Sequence, residues 1–188
     1  MACKNVINPP LIIFIALTFI LTNTLDRVNA TDPGTGLCRQ TTHNDLCLSI
    51  LKADPRSDLK FSPSGVATIL RDSALSTSAD AAAKTTDLLK SASDKQEIAS
   101  LKSCSGGYSS AISSLKSIKF DVIDRTTYPS MVAAVNAGTV AGRDCEASFK
   151  KGAGVPSPLT AVNGRLGDVC DTLLEIISYA VGEALNIE

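Results

Sequence analysis

Along four long stretches of this chain the apolar residues recur at steps of three and four, the period of an amphipathic helix. The first stripe is Val66, Ile69/Leu70, Ala74, Ala81 and Leu88/Leu89, and the second is Ile98, Leu101, Cys104, Tyr108, Ile112, Leu115 and Ile118. Met131/Val132, Val135, Thr139, Gly142, Cys145 and Phe149 form the third. Leu159, Val162, Leu166, Val169/Cys170, Leu173, Ile176/Ile177, Ala180 and Ala184 form the fourth. Start signals fall where the stripes begin. Ser62-Pro63 sets a hydroxyl cap before a proline at the first helical position, and Asp94-Lys95-Gln96-Glu97 has the spacing of a capping box. Thr126-Thr127-Tyr128-Pro129 opens the third helix, and the glycine- and proline-rich segment 152–158 separates it from the fourth. Ahead of these, residues 36–59 read as two short helical pieces about the turn Thr42-His43-Asn44-Asp45, closed by Pro55. The pattern predicts an all-α protein: an up-down-up-down four-helix bundle over about 62–186, preceded by an N-terminal helical hairpin at about 36–60. The hairpin is too small to bury a core of its own. Residues 73–83 are nearly all Ala, Ser and Thr, so facing helices can approach closely there, and Gly106-Gly107 costs about 1 kcal/mol per residue that packing has to offset.

The first thirty residues change the compartment. Lys4, the apolar run from Pro10 to Leu21 and the small-residue site Val28-Asn29-Ala30 make an export signal over 1–30, leaving residues 31–188 as the mature domain. The apolar run is too short to span a membrane, so a soluble secreted product is expected. The sequon Asn29-Ala30-Thr31 straddles the proposed cut, and no glycan is expected. Losing Lys4, Arg27 and Asp26 moves the net charge from −1 to −2, with no basic excess to attract nucleic acid or an anionic membrane.

Five cysteines follow the leader. In an oxidising route bridges are the default for four of them: Cys38 with Cys47 would staple the hairpin, and Cys104 pairs with Cys145. The latter two fall on inward faces, each about 20 residues from the turn near 120–126, so in an antiparallel helix pair they stand at matching heights. Cys170, on the last apolar stripe, reads as a buried free thiol acting as a small hydrophobe.

Catalytic chemistry is missing from the pattern. His43 is the only histidine and lies in a turn, no Gly-x-Ser-x-Gly surrounds a serine, and no Cys-x-x-Cys or phosphate-binding glycine loop occurs. No enzyme activity, metal or cofactor is expected. The carboxylates Asp121 with Asp124, and Asp168 with Asp171 and Glu175, read as solvated helix faces. A rigid, secreted, cross-linked bundle without such groups points to binding another molecule.

Several segments together resemble the plant invertase and pectin methylesterase inhibitor family: Cys38-(8)-Cys47-Leu-Ser-Ile-Leu, Ala53-Asp-Pro-Arg-Ser57, Cys104-Ser-x-x-Tyr108 and Asp144-Cys145-Glu-x-x-Phe149. The resemblance covers nearly all of the mature chain. It implies the hairpin-plus-bundle fold, bridges Cys38–Cys47 and Cys104–Cys145, and inhibition of a cell-wall carbohydrate-active enzyme through a one-to-one complex in the apoplast, or in the vacuole for an invertase inhibitor. Between targets, invertase inhibitors often carry Pro-Lys-Phe ahead of the third long helix, where this chain has Thr127-Tyr128-Pro129-Ser130. The segment Leu166-Gly-Asp-Val-Cys-Asp-Thr-Leu-Leu174 is more similar to pectin methylesterase inhibitors, so that enzyme is the preferred partner and acid invertase the alternative. Val155-Pro-Ser-Pro158 also resembles pollen-allergen relatives, leaving a non-inhibitory or small-molecule-binding role as a third reading. Polar faces of the second and third long helices are the expected contact surface, with Ser109, Ser113, Lys116, Thr127 and Asp144 as target-binding residues.

Overall fold

A computed structural model describes residues 33–151 and 156–185; the leader over 1–30 and part of the loop before the last helix lie outside them. The order is α1 (Pro33–Cys38), α2 (Asn44–Ala53), a 3-10 turn (Ser57–Phe61), α3 (Pro63–Ser91), α4 (Lys95–Ser117), α5 (Tyr128–Lys151) and α6 (Thr160–Leu185). The described residues are all helix, turn or loop. Helices α3 to α6 pack in a ring, each against its two neighbours, and the hairpin of α1 and α2 leans on α3 and α6.

Helix starts obey local chemistry. The Ser62 hydroxyl accepts the Gly65 amide at 3.1 Å with Pro63 at the first helical position, and the Asp94 carboxylate accepts the amides of Gln96 and Glu97 at 2.9 and 2.8 Å. Each cap is worth about 1 kcal/mol. The reciprocal half of the expected box, from Glu97 back to the Asp94 amide, is not made among the described residues. Helix α5 starts at Tyr128, within its Thr-Thr-Tyr-Pro signal, and the turn leading into it is tied by the Asp124 carboxylate, which accepts the amides of Thr126 and Thr127 at 2.8 and 2.9 Å. These bonds, with the Thr126 hydroxyl foremost, hold Asp124 down at a pKa of about 2. The hairpin turn falls on residues 39–43 rather than 42–45, because Asn44 and Asp45 join the first turn of α2.

The apolar stripes meet inside the ring. Val66, Ile69, Leu70, Leu101, Leu115, Leu166, Leu173, Ile176 and Ile177 are essentially inaccessible, each contributing about 1.5–3 kcal/mol by leaving water. On α4 Ala111 is fully buried and Ile112 only partly so, since the small residue takes the most crowded position. One face of the Ser- and Thr-rich stretch of α3 is buried too. Thr77, Ser78 and Thr85 turn their hydroxyls onto the carbonyls of Ser73, Ala74 and Ala81 at 2.9, 2.8 and 2.7 Å, which removes the cost of an unpaired buried donor.

Polar clasps hold the hairpin to the bundle. Glu175 of α6 accepts both the amide and the hydroxyl of Thr42, at 2.8 and 2.5 Å, so this carboxylate, read from sequence as a solvated face, is a tertiary anchor. His43 lies 3.7 Å from Asp168 on the same helix. Arg56 pairs with Asp54 and, at 2.8 Å, with Asp72 of α3. Gly65 admits the 3-10 turn: a Cβ there would stand 2.0 Å from the Leu59 carbonyl oxygen.

Candidate functional site

Cross-links rigidify the two places where the bundle is assembled. Cys38 and Cys47 are bonded within the hairpin, with Cα atoms 5.4 Å apart, and Cys104 and Cys145 are bonded between α4 and α5, with Cα atoms 4.6 Å apart. Cys170 is a buried free thiol; burial pushes it up to a pKa of about 12, so it stays protonated and unreactive at ordinary pH.

Below the α4–α5 bridge, a polar relay joins three helices. The Tyr108 hydroxyl donates to the Asn163 side-chain oxygen. The Asn163 amide donates to Glu146 at 2.6 Å, and the Thr160 hydroxyl donates to the other oxygen of Glu146 at 2.9 Å. Burial raises Tyr108 to a pKa of about 12, leaving it a neutral donor. Sequence reading placed Tyr108 on the apolar stripe; that the ring needs a partner at its hydroxyl was the available signal, while Asn163, off the stripe, gave none.

The five expected contact residues divide into three places. Ser109, Ser113 and Lys116 lie exposed along one stripe of α4. Gly107 faces Ala141 of α5, and at roughly 100° per residue Ser109, Ser113 and Lys116 lie roughly 120–180° round from that side, on the shoulder away from α5. Asp144 is exposed on α5, beside Arg143 at 3.3 Å, roughly 60° from the side Ala141 presents to α4. Thr127 sits at the start of α5, where its hydroxyl donates to the Val122 carbonyl at 3.1 Å and accepts the Asp124 amide at 3.1 Å. The stripe, Asp144 and Thr127 therefore border one surface without meeting.

What lies between them escaped the sequence reading. Ser103, Gly106 and Ser110 of α4 and Ala133 and Val140 of α5 are exposed, and Val140 is 38% accessible. The signal was present as two charge-free runs, 103–115 and 128–142, within helices whose solvent faces would ordinarily carry charge. The α4–α5 outer face is low, uncharged and fixed by a disulfide, with Asp144 and Lys116 on its margins.

The fold is a hairpin-capped four-helix bundle, bridged once in the hairpin and once between its second and third long helices. The family model described as plant invertase/pectin methylesterase inhibitor matches residues 35–176, and the chain belongs to that family. It is 29% identical over 149 residues, 78% of either chain, to a pectinesterase inhibitor from Actinidia deliciosa. Its fold is similar to the crystal structure of mutant form A of a pectin methylesterase inhibitor from Arabidopsis, with a TM-score of 0.60 over 78% of this chain and 96% of that one at 18% identity. Among the described residues no helix is long and apolar enough to cross a membrane.

Proposed function

We propose that this protein is a secreted inhibitor of plant pectin methylesterase that lays the outer face of α4 and α5 across the enzyme's substrate cleft in a one-to-one complex. The observation that carries the reading is that face: small, uncharged side chains spread over two helices whose spacing is held by Cys104–Cys145. A surface without long side chains has little rotamer entropy to lose, and a pre-formed one loses little more on docking. Ser109, Ser113 and Lys116 on one margin, Asp144 on another and Thr127 at one end supply a polar rim. Family membership supports an inhibitor of either target class, and the similarity to a pectinesterase inhibitor over most of both chains favours pectin methylesterase. The segment Thr127-Tyr128-Pro129-Ser130, standing where invertase inhibitors often have Pro-Lys-Phe, supports the same choice. Export through the leader over 1–30 would deliver the protein to the cell wall, where that enzyme works.

The test is titration of purified protein into a plant pectin methylesterase and, in parallel, into an acid invertase. Stoichiometric loss of esterase activity with unchanged invertase is the expected result. Inhibition of invertase alone would reverse the target, and activity of both enzymes at full saturation would overturn the inhibitor reading.

A further inference from the structure

Two cavities open at the end of the bundle where the 3-10 turn and the α4–α5 loop meet, and they share one side chain. The first, about 400 Å³, is lined by Ser62, Ser64, Thr68, Arg71 and Lys119 among others. The second, about 260 Å³, is lined by Lys119 with Ser117, Thr127 and Ser130. Lys119 is exposed and has no ion-pair partner among the described residues. Arg71 is already committed: it bonds Asp72 at 2.7 Å and the Ile118 carbonyl at 3.0 Å, and lies over the Phe120 ring. It therefore frames the first cavity and holds the end of α4 in place, while Lys119 is left to meet a ligand.

We propose that this end of the molecule binds a linear oligosaccharide of uronic acids, with one carboxylate on the Lys119 ammonium and the hydroxyls of adjoining sugar units in the two cavities. The walls offer hydroxyl oxygens as acceptors for sugar hydroxyls: Thr68, Ser117 and Ser130 already donate to the carbonyls of Ser64, Ser114 and Thr127 at 2.9, 2.7 and 2.7 Å, which leaves their lone pairs to accept. Asp121, also lining the first cavity, is an acceptor for sugar hydroxyls. Phe61, next to Ser62 in sequence, is 64% accessible, and an exposed ring there suits the C–H face of a sugar. One unpaired ammonium between two hydroxyl-lined hollows calls for one carboxylate per stretch of chain. A phosphate would call for the convergent fork of donors that Arg71 no longer offers. The second cavity lies at one end of the α4–α5 face, while the first opens beyond it beside the 3-10 turn, so saccharide binding is measured directly rather than through enzyme inhibition.

The experiment is calorimetric titration of the full secreted chain with a tetramer of 1,4-linked uronic acid at low salt, with amide shifts read by NMR. Saturable one-to-one binding is expected, with shifts confined to residues 59–71 and 117–134. Losing one charge-assisted contact should weaken binding ~10-fold or more, so Lys119→Gln and the fully methyl-esterified tetramer should both show that drop. Lys119→Arg should retain binding, and Lys102→Gln, an exposed lysine elsewhere on α4, should leave it within ~2-fold. Equal losses for Lys119→Gln and Lys102→Gln would reduce the effect to diffuse charge attraction and overturn the proposal. Undiminished binding of the methyl ester would do the same. So would competition by a polyglutamate peptide at equal affinity, which would make this a surface for acidic proteins.

Discussion

Gly138 of α5 and Cys170 of α6 share a single space: a Cβ at Gly138 would stand 2.6 Å from the Cys170 sulfur. Overpacking of this kind costs about 1–3 kcal/mol, so Gly138→Ala should lower the urea midpoint, and adding Cys170→Ala should restore at least half of the loss. Additive losses in the double variant would show that the sulfur is not the obstacle. The same thiol makes the fold alkali-sensitive. Cys170 and Tyr108 are both raised to about 12, by burial first, from ordinary values of 9.0 and 10.0. Their neutral forms belong to the fold, so the stabilisation is complete below about pH 9 and is lost as pH rises towards 12. Urea midpoints measured from pH 7 to 11 should fall above pH 9, and Cys170→Ala should flatten the early part of that fall. An identical slope in the variant would remove Cys170 from the account.

Elements depend on the cross-links unequally. Cys104–Cys145 closes a separation of 41 residues, worth about 4 kcal/mol by the chain-entropy model, whereas Cys170 contributes only packing. Replacing Cys104 and Cys145 together by alanine should therefore lower the melting temperature well beyond Cys170→Ala; equal losses would show that the bridge does not carry the α4–α5 pairing. Both inward-facing cysteines were legible in sequence because each stands on a three-and-four stripe at matching distance from a turn. The four long helices were legible for the same reason, together with the Ser62 cap. The hairpin clasp was not: Glu175 has ordinary i, i+4 company in Asp171, and only docking of a segment 133 residues away gives it a partner. The relay through Asn163 and the choice of Ala111 over Ile112 likewise depend on which residue a neighbouring helix presents, and periodicity within one helix does not contain that. On the proposed contact surface, the expected residues fall at the margins, and the uncharged middle is visible only when the two charge-free runs 103–115 and 128–142 are brought side by side by the α4–α5 packing.

For the whole molecule, the arrangement separates stiffness from the surface proposed for recognition. The core and bridges fix the helices, and the α4–α5 face is free to be plain. A long cation on that plain surface should block docking without disturbing the fold. Val140→Arg is expected to weaken inhibition of pectin methylesterase by ~10-fold or more while leaving the melting temperature within a degree or two, as for exposed sites generally. Full inhibition by this variant would move the contact to another face.

The Thr42–Glu175 clasp also sets an order of events during synthesis. Its two halves lie 133 residues apart, so at about 5–20 residues per second the hairpin waits on the order of ten seconds for its anchor to be made. The nine-residue separation of Cys38 and Cys47 needs no such wait. The hairpin can thus be oxidised, and can lean on α3, before its anchor on α6 exists.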